Sequence, residues 1–243
     1  MIIRVVNASP RSIGDLAELA GTSTVTIRRD LADLAEHGSI RRTRGGAEPA
    51  ARRGVEYPFG LRQTEHPETK LALARAAAAR IRSGDSVLID NGTTALAVAH
   101  ELAGRGITAL ALSLHAAAAL ARVPGNQVVV PGGTVGSDDL SFTGAGVAEA
   151  VSAMRFDVAI IGACAAGPES GLTVASWNDA HVKRAVLGAA QRSILVATAD
   201  KFTRTAAHRF GTMQDLDTLV TTRDASAAAI AEALAHGVEV ALV

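Results

Sequence analysis

The chain has 243 residues, 48% apolar and 20% charged, a composition that buries a sizeable core and excludes a disordered chain. Its formal net charge is zero, yet residues 1–55 carry nine arginines against six acids, a net of +3, and the remainder balances at −3. A basic front on a mildly acidic body suits a DNA-reading head on a soluble sensor, with chance variation of surface charge as the plainer alternative. The single cysteine, Cys164, excludes an internal disulfide and a cysteine-built metal site.

In chain order, Ile2-Ile3-Arg4-Val5-Val6 reads as β-like and lacks the layout of a signal peptide, so the cytoplasm is the expected compartment. Residues 12–20 place Ile13, Leu16, Ala17, Leu19 and Ala20 at helical spacing behind a Ser12 cap, and Gly21-Thr22 reads as a turn. Ser23 then caps a second helix over 24–37, closed by Gly38. The extended basic stretch 39–47 ends in Gly45-Gly46. Helix, short turn, helix and basic hairpin predict a winged helix-turn-helix over residues 1–50. Residues 51–66, with Gly54 and Pro58, read as a linker.

From Pro67 short β-rich runs alternate with alanine-rich helices to the end of the chain. Strands are expected at 86–90, 107–113, 126–131, 157–162, 193–199, 216–221 and 238–243. Helices are expected at 68–82, 94–103, 115–122, 144–154, 179–190 and 224–236. That alternation predicts an α/β domain over 67–243, a mainly parallel sheet with helices on both faces. No uncharged stretch is long enough to cross a bilayer; the longest lies between Arg105 and Arg122.

At about 100° per residue, Ile27, Leu31 and Leu34 fall in one narrow sector of the second helix. Arg29 lies opposite, so Ser23, Thr24, Thr26, Arg28 and Arg29 form a polar face that a DNA groove could receive. Arginine grips guanine or phosphate with two donors, and threonine touches phosphate or a thymine methyl. Arg41, Arg42 and Arg44 on the wing suit phosphate or minor-groove contacts. The plainer alternative is a solvated helix with charge pairs such as Arg29–Asp33.

Strand 86–90 runs into Asp90-Asn91-Gly92-Thr93-Thr94 and a helix, which is a natural anion cradle of backbone N–H groups and hydroxyls. Other strand ends add Ser113, Gly132-Gly133, Gly162-Ala163 and Asp200-Lys201, and such ends converge at one edge of an open α/β sheet. Asp90 could accept sugar hydroxyls and Lys201 could offset phosphate charge. A plain turn at Gly132-Gly133 and a solvated loop at Lys201 are the alternatives. With 21 arginines and only Lys70, Lys183 and Lys201 as lysines, a surviving lysine is somewhat more often one that needs a compact ammonium. Lys183 is read as a helix-surface residue, His115 as a surface residue at a helix start, and Cys164 as a small buried hydrophobe. Trp177 and Asn178 belong to a lid or an intersubunit contact.

The run Ser23-Thr24-Val25-Thr26-Ile27-Arg28-Arg29-Asp30-Leu31, with Leu34, Gly38, Arg41 and Arg44-Gly45-Gly46-Ala47, is very similar to the DNA-binding signature of the DeoR family of transcriptional regulators. From about Lys70 to Thr222, the segments LIDNGTTALAVAHEL, VVVPGGTV, DVAIIGA with GLT at 171–173, and ATADKF resemble that family's effector domain. The resemblance implies a fold related to ribose-5-phosphate isomerase and a phosphorylated sugar or similar metabolite as ligand. It also implies ligand roles for Asp90, Gly92, Thr93, Thr94, Gly132, Gly133 and Lys201. The chain departs from the family in lacking a full helix before the motif, and in having Ala111-Leu112-Ser113 where the family has Thr-Asn-Ser.

The expected function is a DNA-binding regulator, a repressor of a sugar-metabolism operon, that meets double-stranded operator DNA as a homodimer or homotetramer. No cofactor, metal, catalytic residue or membrane partner is expected. The competing class is a sugar-phosphate isomerase on the same fold, whose chemistry needs a carboxylate base. The stretch Ile161-Gly162-Ala163-Cys164-Ala165 stands where those enzymes carry acids. A pure oligomerisation scaffold accounts for the helix-turn-helix but not for the polar strand ends.

Overall fold

The β-branched start of the chain is helical, not extended: α1 spans Ile2–Ala8. Ile3 and Val6 are buried on one side of it with Ile2 and Val5 packed alongside, so burial overrides the β preference of these residues. The structure, a computed structural model, describes residues 1–8, 10–36, 40–49 and 58–243. The chain divides into two compact units, Met1–Pro58 and Phe59–Val243.

In the smaller unit β1 (Arg11–Ser12) leads into α2 (Ile13–Ala20). Ser12 Oγ accepts from Asp15 N–H at 3.0 Å while the Asp15 carboxylate accepts from Ser12 N–H at 3.3 Å, a reciprocal cap of the first turn. Gly21, at φ +60°, ends the helix. Helix α3 (Thr24–Glu36) follows, then the hairpin β2 (Ile40–Thr43) and β3 (Gly46–Pro49). Val6, Leu16, Ile27, Leu31 and Ile40 are nearly or wholly buried together. Each contributes about 1.5–3 kcal/mol of burial. The expected stop at Gly38 and residues 51–57 of the expected linker lie outside the described residues.

The larger unit opens with α4 (Phe59–Thr64), so part of the segment read as linker is helical. Helix α5 (Pro67–Ala78) follows, then β4 (Ser86–Ile89), α6 (Thr93–Glu101), β5 (Thr108–Ala111), α7 (Leu114–Ala121) and β6 (Gln127–Val129). After the short pair β7 (Thr134–Val135) and β8 (Phe142–Thr143) come α8 (Ala145–Ser152) and β9 (Phe156–Ile161). Strands β10 (Ala165–Gly167) and β11 (Gly171–Val174) precede α9 (Trp177–Ala189) and β12 (Ala190–Val196). The chain closes with β13 (His208–Gly211), β14 (Thr218–Thr221), α10 (Ala227–Ala235) and β15 (Glu239–Leu242).

All seven expected strands lie in one sheet, ordered β15-β14-β12-β9-β4-β5-β6, and every neighbouring pair is parallel. Alternation within the strands builds two cores. Val87, Ile89, Val158, Ile160 and Ile194 face the layer of α5, α6 and α7. Leu88, Ala159, Ile161 and Leu195 face α8, α9 and α10. The antiparallel sheet β10-β11-β13 was not expected; its strands are short and rich in glycine and alanine, and carry no alternating pattern.

The wing glycine has a steric cause. Gly46 pairs with Ser12 across β1 and β3, and a Cβ placed on it would stand 1.9 Å from the Arg11 carbonyl oxygen. Gly46→Ala should therefore break the pairing of β1 with β3 and cost about 1–3 kcal/mol, read as a lower urea midpoint for the smaller unit. Unchanged unfolding would show that β1 does not hold the wing.

Candidate functional site

Each unit carries one candidate site. On α3 the face opposite Ile27 and Leu31 is open: Ser23, Thr24, Val25, Thr26, Arg28 and Arg29 are all exposed. Ser23 Oγ accepts from Thr26 N–H at 3.1 Å and lies 3.0 Å from the Thr26 hydroxyl, so the first turn is capped from the same face. Leu34 is half-buried against the core. On the hairpin Arg41, Arg42 and Arg44 are exposed, and Arg41 forms an ion pair with Glu48.

In the larger unit β4 and β9 are paired neighbours whose onward connections diverge. Helix α6 leads from β4 to β5, whereas β9 leads through the small sheet and α9 to β12. Such a divergence opens a crevice outside the carboxyl ends of the two strands. Asp90 stands at the end of β4, 2% exposed. Its Oδ2 accepts from Gly162 N–H, at the end of β9, at 2.7 Å, and also from the ammonium of Lys183 on α9. Asp179, one turn before Lys183, lies 3.7 Å from the same ammonium. Burial would push the Lys183 pKa down, but Asp179 and Asp90 outweigh it and hold it above its ordinary value. The second Asp90 oxygen, Oδ1, is buried and accepts no hydrogen bond from any described residue.

The other strand ends surround this pair. Gly92 caps α6 without a side-chain hydrogen bond, Thr93 is buried and Thr94 is half-buried. Asn91 Nδ2 donates to Asp139 Oδ2 at 3.3 Å, which ties the turn between β7 and β8 to the end of β4. Gly132 and Gly133 are exposed at φ +75° and +96°, a backbone that side chains resist. Ser113 is buried, and its hydroxyl accepts from Ala116 N–H at 3.1 Å to cap α7. Lys201 sits in the 3-10 turn Ala199–Thr203 after β12, where Thr198 Oγ1 donates to Asp200 Oδ1 at 2.5 Å and Arg204 pairs with Asp200 at 2.9 Å. Burial lowers the Lys201 pKa, with Arg204 and Arg62 pushing the same way and Asp200 opposing. For Asp200, burial is outweighed by Lys201 and Arg204, and the carboxyl stays below its ordinary value.

A model of the DeoR C-terminal sensor domain matches residues 65–223, and a model of the DeoR-like helix-turn-helix domain matches residues 2–52. The chain belongs to the DeoR family. The HTH-type transcriptional regulator GlpR of Haloferax volcanii is 30% identical over 90% of this chain and 87% of its own length. The transcriptional repressor AccR of Agrobacterium fabrum is 34% identical over 86% and 82%, and the glycerol-3-phosphate regulon repressor of Escherichia coli is 31% identical over 86% and 83%. Ribose 5-phosphate isomerase A from Methanocaldococcus jannaschii superposes at a TM-score of 0.41 with 16% identity, over 57% of this chain and 55% of its own, too distant to bear on activity.

Within this DeoR-family sensor unit several expectations need correction. Lys183 is not on the helix surface: it is 2% exposed and bonded to Asp90. Cys164 is half-buried, and its thiol lies near enough to Lys183 and Lys201 to influence both. His115 is half-buried, its ring stacked on Phe59 at 4.6 Å and 3°. Trp177, expected in a lid or an intersubunit contact, needs no such correction: it is 61% exposed beside Arg184 and His208. Lys70, flagged only by the scarcity of lysine, is buried and donates to the carbonyls of Arg62 and Glu65, the latter at 2.6 Å. Burial lowers its pKa to about 8, with Glu65 and Asp200 opposing and Lys201 and Arg62 adding to the fall. Arg62 itself was concealed in the expected linker.

Breaking a buried pair strands a charge, whereas removing both charges does not. Lys183→Met alone should lose about 3–5 kcal/mol in urea unfolding, and Asp90→Asn added to it should recover most of that loss. A loss below about 1 kcal/mol for Lys183→Met would mean that the pair does not hold the crevice together.

Proposed function

We propose that this chain is a cytoplasmic repressor of a sugar-metabolism operon, with residues 1–50 holding the operator, 51–66 joining, and 67–243 sensing a phosphorylated sugar or related metabolite. The observation that carries the reading is the face of α3. Thr24, Thr26, Arg28 and Arg29 are exposed together, while Ile27 and Leu31 on the other side are locked in the core. A helix anchored that way can enter a major groove without rearranging, and Arg42 and Arg44 on the wing suit the flanking phosphates. Arg41 reaches DNA only by sharing or leaving its pair with Glu48.

In the sensor unit the effector would settle against Asp90, Gly92, Thr93, Thr94, Gly132, Gly133 and Lys201. The unshared Asp90 Oδ1 would accept a sugar hydroxyl, and the cationic side chains would take the phosphoryl group. Ser113, with its hydroxyl engaged in capping α7, would contribute its remaining donor. The glycerol-3-phosphate regulon repressor of Escherichia coli, by its name, represses a regulon named for a phosphorylated polyol, which supports that ligand class. The sensor unit would catalyse nothing, since Ala163, Cys164 and Ala165 stand where isomerases of this fold carry acids. One small head gives modest affinity, so a homodimer or homotetramer on paired half-sites is the expected assembly.

Arg29→Ala should weaken binding to a DNA fragment from upstream of the protein's own gene by about 1–3 kcal/mol, leaving ligand-induced thermal shifts intact. Lys201→Ala should do the reverse. Fluorescence anisotropy and thermal shift read the two activities separately. Equal damage to both by either change would contradict the division of labour.

A further inference from the structure

Helix α9 presents one open stripe to solvent. Trp177, His181, Arg184 and Gly188 recur at helical spacing and all four are exposed, while Ala180, Lys183 and Val186 are buried against the domain. Trp177, the chain's sole tryptophan, is the most exposed large apolar side chain of this helix. The Arg184 guanidinium lies 5.2 Å from its ring centre, steadied by donation from Nη2 to the Arg209 carbonyl at 2.6 Å, and the His208 ring meets the indole at 79°. Tryptophan and arginine are the side chains that most often anchor protein–protein contacts, and fixing the ring in advance removes part of the cost of binding.

The other end of the stripe is a receptor in shape and charge. Leu187 and Gly188 line an open cleft of about 380 Å³ together with Gln214, Asp215, Leu216 and Asp217. The space over Gly188 is clear, since a Cβ there would meet nothing within 4 Å. Asp217 Oδ2 accepts from Ser193 N–H and Asp215 Oδ2 from Thr212 N–H, each at 2.7 Å, so both carboxylates are fixed in place. A carboxylate has further lone pairs to offer an indole N–H. The face of α9 is thus aromatic and cationic at its start, hollow and acidic at its end. Trp177 and Gly188 stand about 16 Å apart along the helix. A two-fold axis across the middle of α9 brings the start of one copy to the end of the other, and unlike charges meet at both places. A parallel arrangement would set like against like.

We propose that α9 is the surface through which two copies of this chain associate, antiparallel about a two-fold axis, with Trp177 of each seated in the cleft between Gly188 and Asp217 of the other. The partner is a second copy because the two ends of one face complement each other. The inference rests on the homo-oligomer proposed above and names the face that forms it. At the centre His181 of one copy meets Arg184 of the other, where an imidazole nitrogen accepts from the guanidinium.

The test uses the full chain without DNA, diluted from tens of micromolar to tens of nanomolar. Sedimentation velocity reads mass, and emission of the sole tryptophan reads its burial. The natural protein should emit at shorter wavelength when concentrated and shift to the red as its mass falls. Gly188→Arg fills the cleft from an open helical position and keeps Trp177. It should halve the mass of the assembly and hold the emission red at every concentration, with the far-ultraviolet circular dichroism of the natural chain. Trp177→Ala should weaken association at least about tenfold. Should Gly188→Arg lose the natural dichroism, Trp177→Ala and the natural chain's emission decide alone. Natural association in a folded variant, or emission that does not follow assembly, overturns the assignment while leaving a homo-oligomer in place. Emission that answers to glucose 6-phosphate but not to dilution overturns it too, because Trp177 then covers a ligand. A natural chain that stays monomeric throughout removes the homo-oligomer and this face with it.

Discussion

An ammonium and a carboxylate, each with its side chain 3% exposed, face one another where the sheet's connections diverge. Charges so far from water survive only when they are paired and otherwise bonded. Lys183 answers Asp90 from α9, Gly162 answers it from β9, and Asp179 answers Lys183 from one turn earlier. The pair therefore fixes two neighbouring strand ends and one covering helix around one point. One oxygen of Asp90 has no hydrogen-bond partner among the described residues, so an interaction that stabilises the fold also leaves one acceptor unused.

The same economy runs through the rest of the edge. The scarcity of lysine in an arginine-rich chain has a structural meaning here: Lys70 and Lys183 are buried, and Lys201 is half-buried in its turn after β12. At Lys70 and Lys183 a compact ammonium meets buried acceptors, the setting in which lysine and arginine are least interchangeable. Lys70 binds the carbonyls of Arg62 in α4 and of Glu65 just after it, and Lys183 binds a carboxylate. Lys201 lies beside Asp200, which opposes the lowering of its pKa by burial and by Arg204 and Arg62.

Much of this fold was legible in the sequence because its signals are periodic. Short, nearly continuous apolar runs such as SVLID and DVAIIG, alternating with alanine-rich helices, marked strands buried on both faces, and helical spacing of Ile27 and Leu31 marked the anchored side of α3. What escaped was set by contacts between distant residues. The β-branched start folds as α1 because Ile3 and Val6 find a core that propensity cannot foresee. Lys183 read as surface because nothing local announces that Asp90, 93 positions away, awaits it. Arg62 lay in a stretch whose glycine and prolines suggested a linker. The loop residues Asp90, Gly92, Thr93 and Thr94 were legible because a strand, a small-residue turn and a helix follow one another directly.

In the function proposed, one chain exchanges a hold on DNA for a hold on a phosphorylated metabolite. A ligand can do so only by its difference in affinity between the two states, a few kcal/mol for a usable switch. The direct measurement is titration of a complex between the protein and DNA from just upstream of its own gene with matched sugars that do and do not bear phosphate. The account predicts release by at least one phosphorylated sugar at concentrations where its unphosphorylated counterpart leaves the complex intact. A complex that ignores every phosphorylated sugar, or that responds equally to both forms, would contradict it.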